Sequence, residues 1–275
     1  MRNLEIKIKI GLISIFTCCA FIPVWKWMYA RFFAEGSFYE HGCLIPFISG
    51  YLIFNMRKEL KKLEIKPEKI GMVLLLVSLL TYIFALYFEI HFISGIALIG
   101  VICGLVLYNC GKSVFHKIGF ALLFLIFMVP LPNAVILGIS FYMKLFVANI
   151  AAYFSHFFIP LKQSGSMVYL PNGVLTIGAP CSGLKSLITL SALSLLFAYL
   201  TGFRLKKKVL FFLCALPIAL CSNILRIILL IFVFYVYGSK FTMGWFHDFS
   251  GILLFIIAFL SLTGLKNIFL LWPEK

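Results

Sequence analysis

A cysteine, an arginine and a histidine stand out in this chain because each lies within or next to a long apolar segment. A thiolate can attack a carbonyl carbon, an imidazole can carry the proton, and a fixed guanidinium can stabilise the oxyanion that forms. Cys181, Arg226 and His247 therefore supply the parts of an acyl-transfer site, provided that the fold brings them together.

Cys181 lies between a turn-forming Leu-Pro-Asn-Gly run and a long apolar run. Pro180 suits the first position of a helix, where its missing N–H is not needed, so we expect Cys181 in the first helical turn. The free N–H groups and the dipole at a helix start favour a thiolate. Ser182 and Gly183 are small, so a substrate backbone can approach the thiol closely. The alternative is that Cys181 only fills a packing gap.

Arg226 lies inside an apolar run that we predict to cross a membrane, where an arginine costs about 2.5–3.5 kcal/mol and usually has a function. Three lysines at 206–208 mark one end of this helix. At 1.5 Å per residue, Arg226 then lies close to the opposite membrane boundary. Ser222 and Asn223 lie one helical turn earlier on the same side. The alternative is an arginine that only extends towards the headgroups.

His247 lies at the predicted start of the last apolar helix, within a Gly-Trp-Phe-His-Asp-Phe-Ser-Gly segment. Location alone does not distinguish it from His41, His91 and His156, which are also expected on the outer side. An interfacial histidine without a chemical role is a further alternative. Asp248 lies about 100° away around a helix, so we do not expect it to orient His247.

The composition indicates the class of protein. The chain has 275 residues, of which 63% are hydrophobic, and its mean hydropathy is +1.09. These values exclude an ordinary soluble domain and predict a polytopic all-α membrane protein, which we interpret as one domain over residues 1–275. The eight cysteines include no CxxC pair, so we predict no metal site, cofactor or disulfide framework. The N-terminus lacks a convincing cleavage site, which indicates a retained first helix.

The net charge of +15 has a topological explanation. In a soluble protein it would suggest nucleic acid, but most of the basic residues cluster in short loops, as the positive-inside rule predicts for the cytoplasmic side. We therefore expect no nucleic-acid partner and place the loops 2–9, 57–69, 112–117, 204–208 and 266–275 in the cytoplasm.

About 20 apolar residues are needed for each span. The candidates number eight: 8–28, 42–56, 70–88, 92–110, 118–137, 182–201, 209–237 and 249–271. Eight spans put both termini in the cytoplasm. Residues 133–161 then cannot cross, so we expect an interfacial or re-entrant helix on the outer face. A β-hairpin is predicted from 167–170 and 174–177 around a Pro-Asn-Gly turn, which places Cys181 on the extracytoplasmic side.

Three motifs in this order resemble the exosortase/archaeosortase family of membrane cysteine transpeptidases. They are Cys-Ser-Gly-Leu-Lys-Ser at 181–186, Asn-Ile-Leu-Arg at 223–226 and His-Asp-Phe-Ser-Gly at 247–251. His41-Gly42 and Pro130-Leu-Pro132 are weaker points of similarity. Lys185 departs from the family, whose members often have arginine there. The resemblance covers about residues 39–251.

The resemblance implies an enzyme of the plasma membrane that cleaves C-terminal sorting signals from exported proteins on the extracytoplasmic face. Such signals consist of a short motif, often Pro-Glu-Pro, then a membrane helix and a basic tail. By this resemblance Cys181 is the nucleophile, His247 the acid/base and Arg226 the oxyanion stabiliser. The expected supporting or substrate-binding residues are Ser182, Gly183, Asn223 and His41. Membrane lipid and a lipid or glycan acceptor for the new C-terminus are the further partners implied.

A transporter or a lipid- or polysaccharide-handling protein is the main alternative. Intramembrane arginine and asparagine residues suit a transport pathway as well. A transporter, however, has no need of a cysteine at a helix start that faces a histidine, so the thiol favours an enzyme.

Overall fold

The computed structural model describes residues 11–13, 15–242 and 244–271. They belong to two compact units, Met1–Leu131 and Pro132–Lys275. The predicted basic segment 2–9, the first residues of the predicted span 8–28 and the chain end at 272–275 lie outside the described residues.

The first unit is helical throughout its described elements. From Ile22 onwards its α-helices are α1 (Ile22–Phe32), α2 (Ile45–Asn55), α3 (Arg57–Leu60), α4 (Lys69–Tyr87) and α5 (His91–Phe124), with 3-10 turns at Glu40–Leu44 and Leu125–Met128. Helices α4 and α5 approach closely at glycines. A Cβ on Gly71 would lie 2.3 Å from the Tyr108 nitrogen, and one on Gly104 would lie 2.8 Å from the Leu75 nitrogen. Small residues of this kind let membrane helices pack backbone to backbone.

The predicted loop at 112–117 is wrong, because these residues are helical. The predicted span 92–110 and residues 118–124 of the predicted span 118–137 both belong to α5, and the non-helical backbone of Gly111, with φ 83° and ψ 179°, kinks the helix between them. The predicted span 118–137 is also interrupted. Helical structure ends at Met128 and resumes at Asn133, because Pro130 and Pro132 cannot donate the hydrogen bonds that a continuous helix needs.

The second unit combines long helices with a small sheet. Its elements are α6 (Asn133–His156), β1 (Lys162–Ser164), β2 (Met167–Leu170), β3 (Gly173–Thr176), a 3-10 turn (Ala179–Ser182), α7 (Leu184–Leu200), α8 (Leu205–Tyr237), α9 (Ser239–Thr242) and α10 (Trp245–Leu271). Leu190 of α7, Phe211 and Ala215 of α8, and Ala258 and Leu262 of α10 form a shared buried core.

The sheet is antiparallel with the order β1-β2-β3. Strands β2 and β3 lie where the sequence predicts a hairpin, and β1 was not predicted. Val168 and Leu175 are buried in a core with residues of α6 and α8. Asn172, in the turn between β2 and β3, donates hydrogen bonds to the carbonyls of Phe234 (2.9 Å) and Tyr235 (3.0 Å). The hairpin is therefore fixed to the end of α8.

Five described helices are long and apolar enough to cross a membrane: Lys69–Tyr87, His91–Met128, Asn133–His156, Leu205–Tyr237 and Trp245–Leu271. A sixth results if the bent pair Gly11–Ala20 and Ile22–Phe32 forms one span. The prediction of an all-α polytopic membrane protein is confirmed at this level. Helix α6 passes the same test, although the charge pattern predicts that it stays at the outer surface. Its position and the number of eight spans remain predictions.

Candidate active site

Cys181 lies in the 3-10 turn Ala179–Ser182, which precedes α7. Gly183 separates the two, with a left-handed backbone at φ 83°, and α7 begins at Leu184. Only glycine adopts this conformation without a steric cost. The prediction that Cys181 belongs to the first turn of the following helix is therefore wrong, because the backbone changes hand between the thiol and that helix.

Asn223 of α8 holds the turn that carries the thiol. Its side-chain Nδ2 donates a hydrogen bond to the Cys181 carbonyl at 2.9 Å, and the asparagine is buried. Ser140 of α6 donates to the Ala179 carbonyl at 3.3 Å. A Cβ on Gly183 would lie 2.7 Å from the Asn223 Cγ. The absence of a side chain at Gly183 therefore allows Asn223 to reach the cysteine backbone.

The thiol contacts His247 directly. Cys181 Sγ lies 3.1 Å from His247 Nε2, and Cys181 is only 7% exposed. His247 Nδ1 lies 3.1 Å from Asp248 Oδ1. A carboxylate accepts hydrogen bonds only, so Nδ1 carries a proton and Nε2 is left to exchange a proton with the thiol. We did not predict the Asp248 contact, because the angular offset of neighbouring helical residues does not show that two short side chains can bend towards each other.

Arg226 of α8 is fixed against the start of α10. Its Nη2 donates a hydrogen bond to the His247 carbonyl at 3.0 Å and lies 3.5 Å from His247 Nε2. Its Nε donates to Ser250 Oγ at 3.4 Å. A Cβ on Gly251 would lie 3.0 Å from Nη2, so a larger residue there would crowd the guanidinium. Among the described residues Nη1 has no hydrogen-bond partner.

The surroundings of Cys181 favour the thiolate. Burial of the thiol raises the pKa of Cys181, but the hydrogen bond with His247 and the nearby charges of Arg226 and His247 lower it by more, so the pKa lies below that of an ordinary cysteine. These side chains, rather than the start of α7, give Cys181 its thiolate character.

The sequence also predicted Ser182 as a supporting residue and left three other histidines as alternatives to His247. Ser182 is fully buried, and its Oγ accepts a hydrogen bond from the Leu184 N–H at 3.3 Å, so it supports the start of α7. His156 is exposed at the end of α6, and no described contact joins it to the thiol. His41 and His91 belong to the first unit. The pairing of the thiol within the second unit is therefore with His247.

A cavity of about 180 Å³ opens beside the thiol. Its walls are mainly apolar, and Cys181 and His247 are the reactive side chains that line it. The other lining residues are Leu175, Thr176, Ile177, Gly178, Pro180, Ile227, Leu230 and Thr242. A cavity of this size beside a nucleophile can hold part of an extended peptide.

The fold and the site describe a helical membrane protein with a buried cysteine, a partly exposed histidine that contacts it and an adjacent fixed arginine. Residues 33–264 match the family model described as transmembrane exosortase, and the chain belongs to this family. The family consists of membrane cysteine transpeptidases or proteases that act on exported proteins with C-terminal sorting signals. The resemblance inferred from the motifs is thus confirmed. Comparisons with curated proteins and with solved structures gave no match.

Proposed function

We propose that this exosortase is a cysteine peptidase or transpeptidase that cleaves the C-terminal sorting signal of exported proteins, with Cys181 as nucleophile. The observation that carries the proposal is the 3.1 Å contact between Cys181 Sγ and His247 Nε2. A buried thiol paired with an imidazole is the arrangement that thiol acyl transfer requires. A transport pathway has no use for it, so the enzyme is favoured over a transporter.

The first half of the reaction forms a thioester. The Cys181 proton passes to His247 Nε2, and the thiolate attacks the carbonyl carbon of the scissile peptide bond. The carbonyl oxygen becomes an oxyanion, which the Arg226 guanidinium stabilises through the Nη1 hydrogens that have no partner among the described residues. His247 Nε2–H then donates its proton to the departing nitrogen, and the C–N bond breaks.

The second half releases the new C-terminus from the enzyme. Water, or a hydroxyl or amine of a lipid or glycan acceptor, loses its proton to His247 and attacks the thioester carbon, which regenerates the Cys181 thiol. Asp248 accepts the Nδ1 hydrogen bond through both halves and thereby keeps Nε2 directed at the sulfur. Asn223 is a positioning residue, since it acts on the cysteine backbone.

The charge pattern supports a topology in which this site lies outside the cytoplasm. With both termini and the basic loops in the cytoplasm, the hairpin and the Cys181 turn lie on the extracytoplasmic face of the plasma membrane. The substrates are exported proteins whose C-terminus carries a short motif, a membrane helix and a basic tail. Residues 1–275 act as one membrane domain in this proposal.

Removal of the thiol tests the proposal. We expect the C181A variant to leave a co-expressed sorting-signal protein uncleaved at unchanged membrane abundance, and C181S to fail as well, because a hydroxyl is far less ionised than a thiol near neutral pH. The matched controls C214A and C221A remove cysteines of α8 and should cleave normally. In the wild type, mass spectrometry should detect a thioacyl adduct on Cys181. Undiminished cleavage by C181A would refute the mechanism.

A further inference from the structure

Strand β3 has a free edge that leads to the thiol. It is the last strand in the order β1-β2-β3, so among the described strands only β2 pairs with it. After Thr176 the chain continues through Ile177 and Gly178 directly into the turn that carries Cys181. The open side of β3 therefore ends at the reaction centre.

The register of the sheet shows which backbone groups this edge presents. The Ile177 N–H donates a hydrogen bond to the Ser166 carbonyl at 2.8 Å, so Ile177 faces β2. Backbone groups alternate in direction along a strand, so Leu175 also faces β2, whereas Val174 and Thr176 direct their N–H and C=O groups away from the sheet. Within the described residues these outward groups have no hydrogen-bond partner, and both side chains are exposed.

The two edges of the sheet differ in composition. Strand β1 carries Lys162 and Gln163, and charged side chains on an edge discourage pairing with another chain. Strand β3 has the sequence Gly-Val-Leu-Thr, with no charged residue and no proline. The β3 edge beside the thiol is thus open to pairing with another strand, whereas the charged side chain on β1 discourages pairing at the opposite edge.

We propose that β3 binds the substrate as a fourth strand, formed by the extended segment immediately upstream of the scissile bond. This inference rests on the proposed function. The outward-facing residues Thr176 and Gly178 line the same cavity as Cys181 and His247, which connects the edge to the reacting groups. Moving away from the thiol along β3 leads towards the N-terminus of β3. Moving away from the scissile bond along the upstream segment leads towards the N-terminus of the substrate. The added strand is therefore parallel to β3.

This mode of binding separates affinity from selectivity. Main-chain hydrogen bonds to Val174 and Thr176 hold any extended sequence, whereas side chains on one face of the added strand enter the apolar cavity and are selected there. The same pairing holds the scissile carbonyl at a fixed height above the sulfur, because the register of a strand fixes the position of every carbonyl along it.

A proline substitution on each edge tests the proposal on the enzyme. T176P removes an outward N–H of β3 and leaves the pairing with β2 intact, since proline is tolerated at such edge positions. Losing one hydrogen bond should lower kcat/KM by about two- to tenfold, and crowding of the edge by the proline ring should add to this loss. Q163P makes the equivalent change on β1, whose Gln163 faces away from β2, and should cleave like the wild type. Alkylation of Cys181 by iodoacetamide should be equally fast in both variants.

Changes in the substrate test the same pairing without altering the enzyme. The probe is a synthetic peptide with a Pro-Glu-Pro segment, an apolar helix and a basic tail. The two prolines lie two residues apart, so both can face away from β3 while the glutamate N–H faces it. An ester oxygen in place of this N–H should lower kcat/KM by about two- to tenfold. A control peptide carries the ester two residues before the first proline. The N–H that it replaces faces away from β3, as the prolines do, so this peptide should be cleaved normally.

The outcomes distinguish the two proposals. Cleavage that depends on Cys181, with equal rates for both ester peptides or for T176P and Q163P, overturns strand addition and leaves the proposed function in place. Absence of any Cys181-dependent cleavage of the unmodified peptide overturns both. Slower cleavage of the glutamate ester and slower cleavage by T176P, with normal cleavage of the control ester and by Q163P, supports the added strand.

Discussion

The charge of Arg226 offers a quantitative test of how the site generates a nucleophile. We expect the R226Q variant to cleave a sorting signal about 10²–10³ times more slowly, because one oxyanion donor is lost. It should also require a higher pH to form the thiolate. The guanidinium helps to lower the pKa of Cys181. The thiolate exists above that pKa and is lost below it. Without the guanidinium the pKa rises, so the thiolate should form at a higher pH in the variant than in the wild type.

The structure sets the size of this electrostatic effect. Cys181 Sγ and Arg226 Nη2 both contact His247 Nε2, at 3.1 Å and 3.5 Å, so they lie no more than the sum, about 6.6 Å, apart. Unit charges at that distance interact by about 0.6 kcal/mol in bulk water and by about 2.5 kcal/mol at an effective dielectric constant near 20. The ratio of thiolate to thiol at a given pH should therefore fall in R226Q by at least about threefold if the site is as polar as bulk water, and by at least about 70-fold at the lower dielectric constant.

Alkylation of a single cysteine measures the thiolate without any substrate. The enzyme would carry Cys181 alone, after replacement of the other seven cysteines, and its rate of reaction with iodoacetamide would be followed against pH. We expect the midpoint of this curve at a lower pH than for an ordinary cysteine, and a movement to higher pH in R226Q. Cleavage of a co-expressed sorting-signal protein would be measured in parallel, alongside membrane abundance.

A matched control separates a local effect from a general loss of charge. R204Q removes the same type of residue just before the start of α8, about 30 Å along the helix from Arg226 and beyond the screening length at physiological salt. R204Q should leave the alkylation curve and the cleavage rate unchanged. An alkylation curve and a cleavage rate in R226Q equal to those of the wild type would show that Arg226 only anchors α8 at the membrane boundary.

Three further predictions concern the backbone, the histidine and the topology. G183A should lower cleavage strongly, because the left-handed φ costs about 1–2 kcal/mol and the new Cβ would displace Asn223 from the Cys181 carbonyl; G202A, with φ 69° and nothing within 4 Å, has the same backbone cost and should cleave normally, so equal losses in both would contradict this. D248N should slow cleavage only about two- to tenfold, since the carboxylate that it changes is 85% exposed and one hydrogen bond contributes about 0.5–1.5 kcal/mol; a complete loss of cleavage would assign Asp248 a direct role. Cysteines introduced at Ser164 and Lys206 should be labelled from the outer and the cytoplasmic side respectively, and labelling of position 164 only from the cytoplasm would overturn the proposed topology.

The sequence by itself determined the class of protein and the identity of the unusual residues. Hydrophobic content fixes a helical membrane protein, because only helices satisfy the backbone of such long apolar segments in lipid. Cys181, Arg226 and His247 stand out because they interrupt or border those segments, and the order of the three motifs around them identifies the family. These are local properties, and they can be observed without knowledge of how the helices pack.

Only the tertiary structure decided how these residues are arranged. Cys181 and His247 are 66 residues apart, so the pairing of the thiol with His247 rather than with His156 depends on how α8 and α10 pack around the turn. Tertiary packing also decides three other features. They are the left-handed backbone at Gly183, the contact of His247 with Asp248 and the hydrogen bonds of Arg226 to the start of α10. Each depends on rotamers and on helix approach over distances that periodicity does not encode, since a spacing of 3.6 residues describes one helix and not the side chains of its neighbours.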